Sequence, residues 1–146
     1  MKKKQFELHQ VLTYRTDIEK MRMQEFAAAK QRYEEACTRL ERILIELQVL
    51  NREYAERNGQ FESIVELQLY NDFFARKREE IRQQQVQIEQ LNEALEERRE
   101  EMVQATKDKK VLEALKEKQE EEFRKTQQQK ERDFLDEISV QKKGRE

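Results

Sequence analysis

The chain has 146 residues, of which 42% are charged and 36% hydrophobic, and its formal net charge is −2. A hydrophobic content below the roughly 45–50% of globular domains excludes a large compact core. The near-neutral charge argues against general nucleic-acid binding, which usually shows a marked basic excess. The chain contains no Pro, no Trp and only two Gly, so little interrupts a helix. This composition predicts long helices or a coiled coil.

Few residues could carry chemistry. A lone cysteine, Cys37, excludes an internal disulfide and a multi-cysteine metal site, and His9 is the single histidine. Acidic clusters such as residues 96–101 predict exposed ion pairs, because a general acid needs a water-poor pocket to shift its pKa. We therefore predict no enzymatic activity, no cofactor and no metal site.

Membrane insertion is not indicated by the apolar pattern. The longest apolar run, Phe26–Ala29, is far shorter than the roughly 20 residues of a membrane-spanning helix. The lysines at positions 2–4 are not followed by the apolar segment of a secretory signal. We expect a cytoplasmic protein without direct membrane insertion.

The first half of the chain carries a heptad pattern. Apolar residues recur there at alternating spacings of three and four, which is typical of a coiled-coil seam; they are Phe26, Ala29, Tyr33, Ala36, Leu40, Ile43, Leu47, Leu50 and Tyr54. An upstream set follows the same alternation one residue out of phase: Val11, Tyr14, Ile18 and Met21. The step of five from Met21 to Phe26 predicts a slip of the seam or a local change of winding.

The second half carries a matching pattern. Six apolar residues lie seven apart, namely Leu67, Phe74, Ile81, Ile88, Leu95 and Met102. Tyr70, Leu91 and Ala105 occupy the companion seam position, which elsewhere holds the polar residues Lys77, Gln84 and Arg98. Polar residues in a seam usually lower stability while they fix the register.

One break separates the halves. Asn58 and Gly59 suit a helix end, and Ser63 with Glu66 forms the pattern of a capping box. We predict a first helix over about 8–57, a turn over about 58–62, and a second helix over about 63–142, forming one domain over 1–146. The short connection favours antiparallel neighbours. The fold class is therefore all-α: a long antiparallel two-helix coiled-coil hairpin.

The register of this hairpin can be counted from the turn. It places Leu47 near Tyr70, Ala36 near Ile81, and Leu8 near Leu112. The second helix then continues beyond the first as an overhanging C-terminal segment with few apolar residues. A polar isolated helix should fray in water unless another protein binds it.

A second apolar surface lies near the turn, outside the seam. Val65, Leu69 and Phe73 follow each other at intervals of four, and Ile45 and Val49 lie opposite the seam of the first helix. Two interpretations are open. The residues widen the intramolecular seam or contact a second copy, or they form a docking patch for another protein.

The N-terminal stretch Phe6–Arg15 reads FELHQVLTYR, residues 111–118 read VLEALKEK, and residues 134–138 read FLDEI. In this order, around a central turn, they resemble the flagellar export protein FliJ family. The resemblance implies an antiparallel two-helix coiled coil, similar to the stalk of rotary ATPases, that acts in the flagellar type III export apparatus. It also implies a cytoplasmic protein that is peripheral at the inner face of the cell membrane.

The resemblance implies partners as well. The end that carries both termini would enter the hexameric export ATPase. We call the apolar residues expected to bind the ATPase at this end the end set; they are Phe6, Leu8, Val11, Leu115, Phe123, Phe134, Leu135 and Ile138. Another region would contact the cytoplasmic domain of the export gate protein, and export chaperones are further possible partners. Phe73 matches the gate-contact aromatic of the family, whereas Lys77 stands where a leucine is expected.

The leading prediction is a non-enzymatic stalk that couples the export ATPase to the gate. One alternative is the equivalent stalk of a virulence type III secretion system, which shares the architecture. Another is a structural coiled coil that self-associates through the patch near the turn. Nucleic acid is not an expected partner, given the near-neutral charge.

Overall fold

The computed structural model describes residues 7–144 and contains two helices. Helix α1 spans His9–Arg57 and helix α2 spans Ile64–Gly144. They pack against each other, and no strand occurs within the described range. The predicted all-α class with two long helices is therefore confirmed.

The chain divides into two compact units. One comprises α1 up to Met21 together with α2 from Val103 onward, and the other comprises Arg22–Met102. That the whole chain forms a single domain stays a prediction.

The predicted break ends α1 at Arg57. Asn58 and Gly59 have φ values of +50° and +79°, and this left-handed region is easily accessible to Gly and tolerated by Asn. The Asn58 amide donates to the carbonyl of Ala55 at 3.1 Å, and the Gln60 amide donates to the carbonyl of Arg57 at 2.9 Å. These bonds satisfy carbonyls that the end of a helix would otherwise leave free.

The predicted capping box starts α2. The Glu66 amide donates to Ser63 Oγ at 3.3 Å, and Glu66 Oε2 accepts from the Glu62 amide at 2.8 Å. The glutamate thus reaches one residue further back than in the usual reciprocal pair. Both bonds satisfy amides near the helix N-terminus, so the helix starts where the sequence indicates.

Aromatic rings close the seam at the turn. Tyr54 lies 5.4 Å from Phe61, 5.7 Å from Tyr70 and 5.5 Å from Phe74, measured between ring centroids. Edge-on and tilted pairs at these distances are attractive beyond the area that they bury. Because Tyr54 lies beside Tyr70, the predicted pairing of Leu47 with Tyr70 is wrong by seven residues, which is one heptad. The count began at Asn58 and Gly59, whereas the chain reverses closer to Phe61.

The seam of the unit Arg22–Met102 mixes apolar and polar side chains. Ala36, Ile43 and Leu95 are buried. Gln84 is only 5% exposed, and its Nε2 donates to the carbonyl of Ala36 at 2.9 Å. The contact corrects the expected pairing of Ala36 with Ile81 in the same direction, here by three residues along α2.

Two further polar seam residues make ion pairs. Lys77 is half-buried and pairs with Glu46 across the seam and with Glu80 on its own helix. Arg98 is more exposed, and its guanidinium lies 3.3 Å from Glu25 and 3.0 Å from Glu101. The polar interruptions read from the sequence therefore do lie along the interface.

The predicted slip between Met21 and Phe26 is wrong. Upstream of Phe26, the side chains turned into the interface continue the same heptad phase; they are Leu12, Arg15, Glu19 and Arg22. Three of the four apolar residues assigned to this seam, Val11, Tyr14 and Met21, are instead exposed. Charged residues occupy these seam positions because each one has a partner of opposite charge on α2, which the apolar pattern alone does not reveal.

Helix α2 extends beyond α1. Arg15 lies beside Asp108, so His9, six residues earlier, reaches the level of about Ala114 in an antiparallel pair. Side chains on one face of α2 remain half-buried as far as Gln127. From there on, residues 128–144 are all exposed. We call residues 128–144 the C-terminal rod.

Candidate functional site

The first candidate surface is the tip patch, formed by Ile45, Val49, Val65, Leu69 and Phe73. All five side chains are exposed. Val65, Leu69 and Phe73 lie on successive turns at the start of α2. The guanidinium of Arg76 lies 4.6 Å from the centre of the Phe73 ring, a cation–π contact that covers part of the ring.

The register of the two helices determines where Ile45 and Val49 lie along the helix axis relative to α2. Because Lys77 pairs with Glu46, Val49 lies at about the level of Phe74, and Ile45 lies one turn further from the connection. Of the two α1 residues of the tip patch, Val49 is thus the one closer to the level of Phe73. The structure brings Leu69, Phe73 and Val49 towards one part of the surface, while Ile45 lies at its edge.

Lys77 is not part of the tip patch. Its half-buried side chain points into the seam, where the hydrogen bond to Glu46 raises the pKa of the Lys77 ammonium group. The same bond lowers the pKa of the Glu46 carboxyl group. The residue at which this chain departs from the family pattern therefore contacts α1 and does not extend the exposed row.

The second candidate surface lies in the unit that combines the start of α1 with the later part of α2. Six residues of the predicted end set are exposed: Leu8, Val11, Leu115, Phe134, Leu135 and Ile138. Phe123 is half-buried, and Phe6 lies outside the described residues. We call the paired segments 8–21 and 103–115 the open end. The structure thus divides the set between the open end, the C-terminal rod and the stretch that joins them.

Ion pairs hold the open end together. Arg15 lies 3.5 Å from Asp108, and Lys109 Nζ lies 3.1 Å from Glu19 Oε1. Glu19 is 8% exposed. Hydrogen bonds from Lys109 and then Thr106 lower the pKa of the Glu19 carboxyl group, and the bond to Glu19 raises the pKa of Lys109. Sequence analysis did not identify these residues as part of the interface. The signal that could have identified Arg15 and Glu19 is their spacing, which continues the heptad phase of Phe26.

The Glu19–Lys109 pair makes the open end sensitive to acid. Since the folded state lowers the pKa of Glu19, its stabilising contribution is full above the unfolded pKa of about 4.3 and is lost as the pH falls through the folded value. We expect hydrogen exchange of residues 12–21 to accelerate below that pH, beyond the intrinsic trend. Glu19→Gln should remove this acid-dependent increment.

Asp17→Asn is the matched control, because Asp17 is an exposed carboxylate on the same stretch of α1. It should leave the acid-dependent increment intact. An unchanged acid response in Glu19→Gln would contradict the role given to this pair.

Within residues 7–144, no group of three or more His, Cys, Asp or Glu side chains could hold a metal ion. Cys37 is half-buried, and its hydrogen bond raises the pKa of Tyr33. In the same range, neither α1 nor α2 contains a stretch apolar enough to span a lipid bilayer.

These features define a class: an all-α pair of long antiparallel helices with exposed apolar surfaces near the turn and at the open end. The family model of the flagellar FliJ protein matches residues 3–146, so the chain belongs to the FliJ family. The family consists of structural components of flagellar and type III protein export and is not a known enzyme family. No match is found among curated proteins or among solved structures.

Proposed function

We propose that this chain is a non-enzymatic stalk of the flagellar export apparatus that binds the export ATPase hexamer through its open end and its C-terminal rod, and the cytoplasmic domain of the export gate protein at its tip patch. Export chaperones are further proposed partners. Binding to the gate would make the protein peripheral at the inner face of the cell membrane, without inserting into it.

The observation that carries this proposal is the C-terminal rod. All of its side chains are exposed, including Phe134, Leu135 and Ile138. A single polar helix gains little stability from its own backbone in water. A partner that encloses the rod would bury these apolar side chains and stabilise the helix at the same time.

A stalk of this kind would act by asymmetry. A single rod inside a ring of six identical subunits cannot contact all of them equally. Each subunit that contacts the rod gains a binding energy that the others lack, and this difference can bias the order or the assembly of the ring. The tip patch, which shares no residue with the rod, would remain available to the gate.

Truncation tests the ATPase contact. A chain that stops after Gln127 should lose detectable pull-down by the purified export ATPase, because the rod supplies the apolar contacts. It should keep the urea-unfolding midpoint of the full chain, because every residue of the rod is exposed. A milder variant combines Phe134→Ser, Leu135→Ser and Ile138→Ser.

Val140→Ser is the control for that triple variant, since Val140 is an exposed apolar residue of the rod outside the end set. We expect this control to bind the ATPase like the unmodified chain. Full ATPase binding by the truncated chain would exclude the proposed contact.

A further inference from the structure

One face of α2 stays partly covered beyond the level at which α1 starts. Gln119, Phe123 and Gln127 follow each other at intervals of four and are half-buried. In the register of the open end, the first described residue lies at about the level of Lys116. At 1.5 Å per residue, Phe123 lies about 10 Å beyond that level and Gln127 about 16 Å. No described residue of the N-terminal part of the chain extends so far.

The C-terminal rod shows how exposed such side chains are on a lone helix. All of its residues are exposed, and Phe134 is 61% exposed. Gln128, which follows Gln127 directly but points to another side of α2, is exposed as well. Since α2 alone leaves these side chains open to solvent, the half-burial of Phe123 indicates a cover on one side of the helix.

Acidic side chains border this face. Residues 117–122 read EKQEEE, with four carboxylates and one lysine. Glu121 pairs with Lys125, and no described side chain forms an ion pair with the other three carboxylates. An open depression of about 430 Å³ is lined by Glu117, Glu120, Glu121, Phe123, Arg124 and Gln127. A segment that fits this face therefore combines apolar side chains with positive charge.

We propose that residues 1–6 of the same chain, MKKKQF, form this cover and lie along α2 from Gln119 to Gln127. They continue directly into the described chain, and six residues span up to about 20 Å. The distance of about 16 Å to Gln127 is within that reach. Because the segment is tethered beside its site, its effective concentration there is high without any partner.

The charge and the apolar content of the segment match the face. Lys2, Lys3 and Lys4 carry three positive charges, whereas residues 117–122 carry a net charge of −3 from four carboxylates and one lysine. Met1 and Phe6 supply apolar side chains that can bury Phe123.

This contact belongs to the free chain and does not depend on the ATPase contact. A partner that binds Phe123, as proposed above for the ATPase, would first have to displace residues 1–6. The segment would then act as an internal competitor at one member of the end set.

Hydrogen exchange of the full chain tests the cover. Replacing Lys2, Lys3 and Lys4 together with Glu should accelerate exchange of the backbone amides of residues 119–127 about tenfold, because like charges then face each other and the segment dissociates. The control combines Lys142→Glu with Lys143→Glu, which reverses the charge of exposed lysines in the rod, and should leave this exchange unchanged. Unchanged exchange in the N-terminal variant would overturn the proposal.

Disulfide trapping tests the position of the segment. In a Cys37→Ser background, Lys2→Cys combined with Gln127→Cys should give an intramolecular disulfide under mild oxidation. Lys125→Cys replaces Gln127→Cys in the matched control, because Lys125 lies at nearly the same level on the opposite face of α2, and its yield should be far lower. Equal yields would show that the segment does not rest on this face. A disulfide formed only between two chains would assign the cover to a second copy, and either result would refute the proposed contact.

Discussion

Replacing Phe73 with Ala should weaken binding of the chain to the cytoplasmic domain of the export gate protein by about tenfold or more. Phe73 is the largest exposed apolar side chain of the tip patch, and truncation of a central aromatic contact typically costs 2 kcal/mol or more. Leu69→Ala removes the neighbouring contact and should weaken binding in the same direction. Titration calorimetry with the purified gate domain measures both effects.

Helicity and thermal stability should not change in either variant, because neither side chain belongs to the seam. Val86→Ala is the matched control: Val86 is an exposed apolar residue of α2 that lies about three and a half turns beyond Phe73. We expect this control to bind the gate domain normally. Equal affinity of the Phe73 and Leu69 variants and the unmodified chain would remove the argument that the patch is a gate-binding surface.

Replacing Leu95 with Ala should lower the free energy of unfolding by about 2–4 kcal/mol. Leu95 is 5% exposed and is the largest buried aliphatic residue of α2. No side chain among the described residues is completely buried, so the interface is thin and depends on a small number of such contacts. Urea unfolding followed by circular dichroism measures the change.

Val86→Ala again provides a comparison, since it makes the same kind of truncation on the exposed side of the same helix. It should change the free energy of unfolding by less than about 0.5 kcal/mol. A loss in Leu95→Ala no greater than that in Val86→Ala would show that the seam stabilises the pair less than its burial suggests.

Local sequence signals predicted the elements of this fold well. Gly59 and the Ser63–Glu66 pair act over a few residues, so the end of α1 and the start of α2 can be read directly from them. The heptad pattern of α2 from Leu67 to Met102 likewise predicted which side chains face α1. Each of these features depends on neighbours close in sequence or on a repeated spacing.

The register and the seam upstream of Phe26 could not be read in this way. Alignment of the helices depends on how the six-residue connection closes over the rings of Tyr54 and Phe61, which is a tertiary effect. Upstream of Phe26, the apolar alternation favoured Val11 and Tyr14, but the folded pair selects Arg15 and Glu19. The choice depends on partners about 90 residues away on α2, and no local pattern records them.

The tip patch and the end set were chosen from the sequence, and the structure shows how accessible they are. Exposure of Leu69 and Phe73 follows from their place outside the seam, which the heptad pattern already indicated. The sequence predicted that Lys77 lies in the seam. Its ion pair with Glu46 depends on the register of the two helices and could not be predicted. Which partners bind these surfaces stays a prediction.

The residues that contact each other across the helix pair are further apart in sequence the further they are from the turn along the chain. Arg57 and Glu66, beside the turn, are nine residues apart, whereas Arg15 and Asp108 at the open end are 93 residues apart. Loop-closure entropy rises with this separation, so the aromatic cluster should fold first and the open end last. In a single-molecule pulling experiment that separates the two helices at the open end, the ion pairs would break before the rings around Tyr54 part. The turn would therefore be the last part of the helix pair to separate in that experiment.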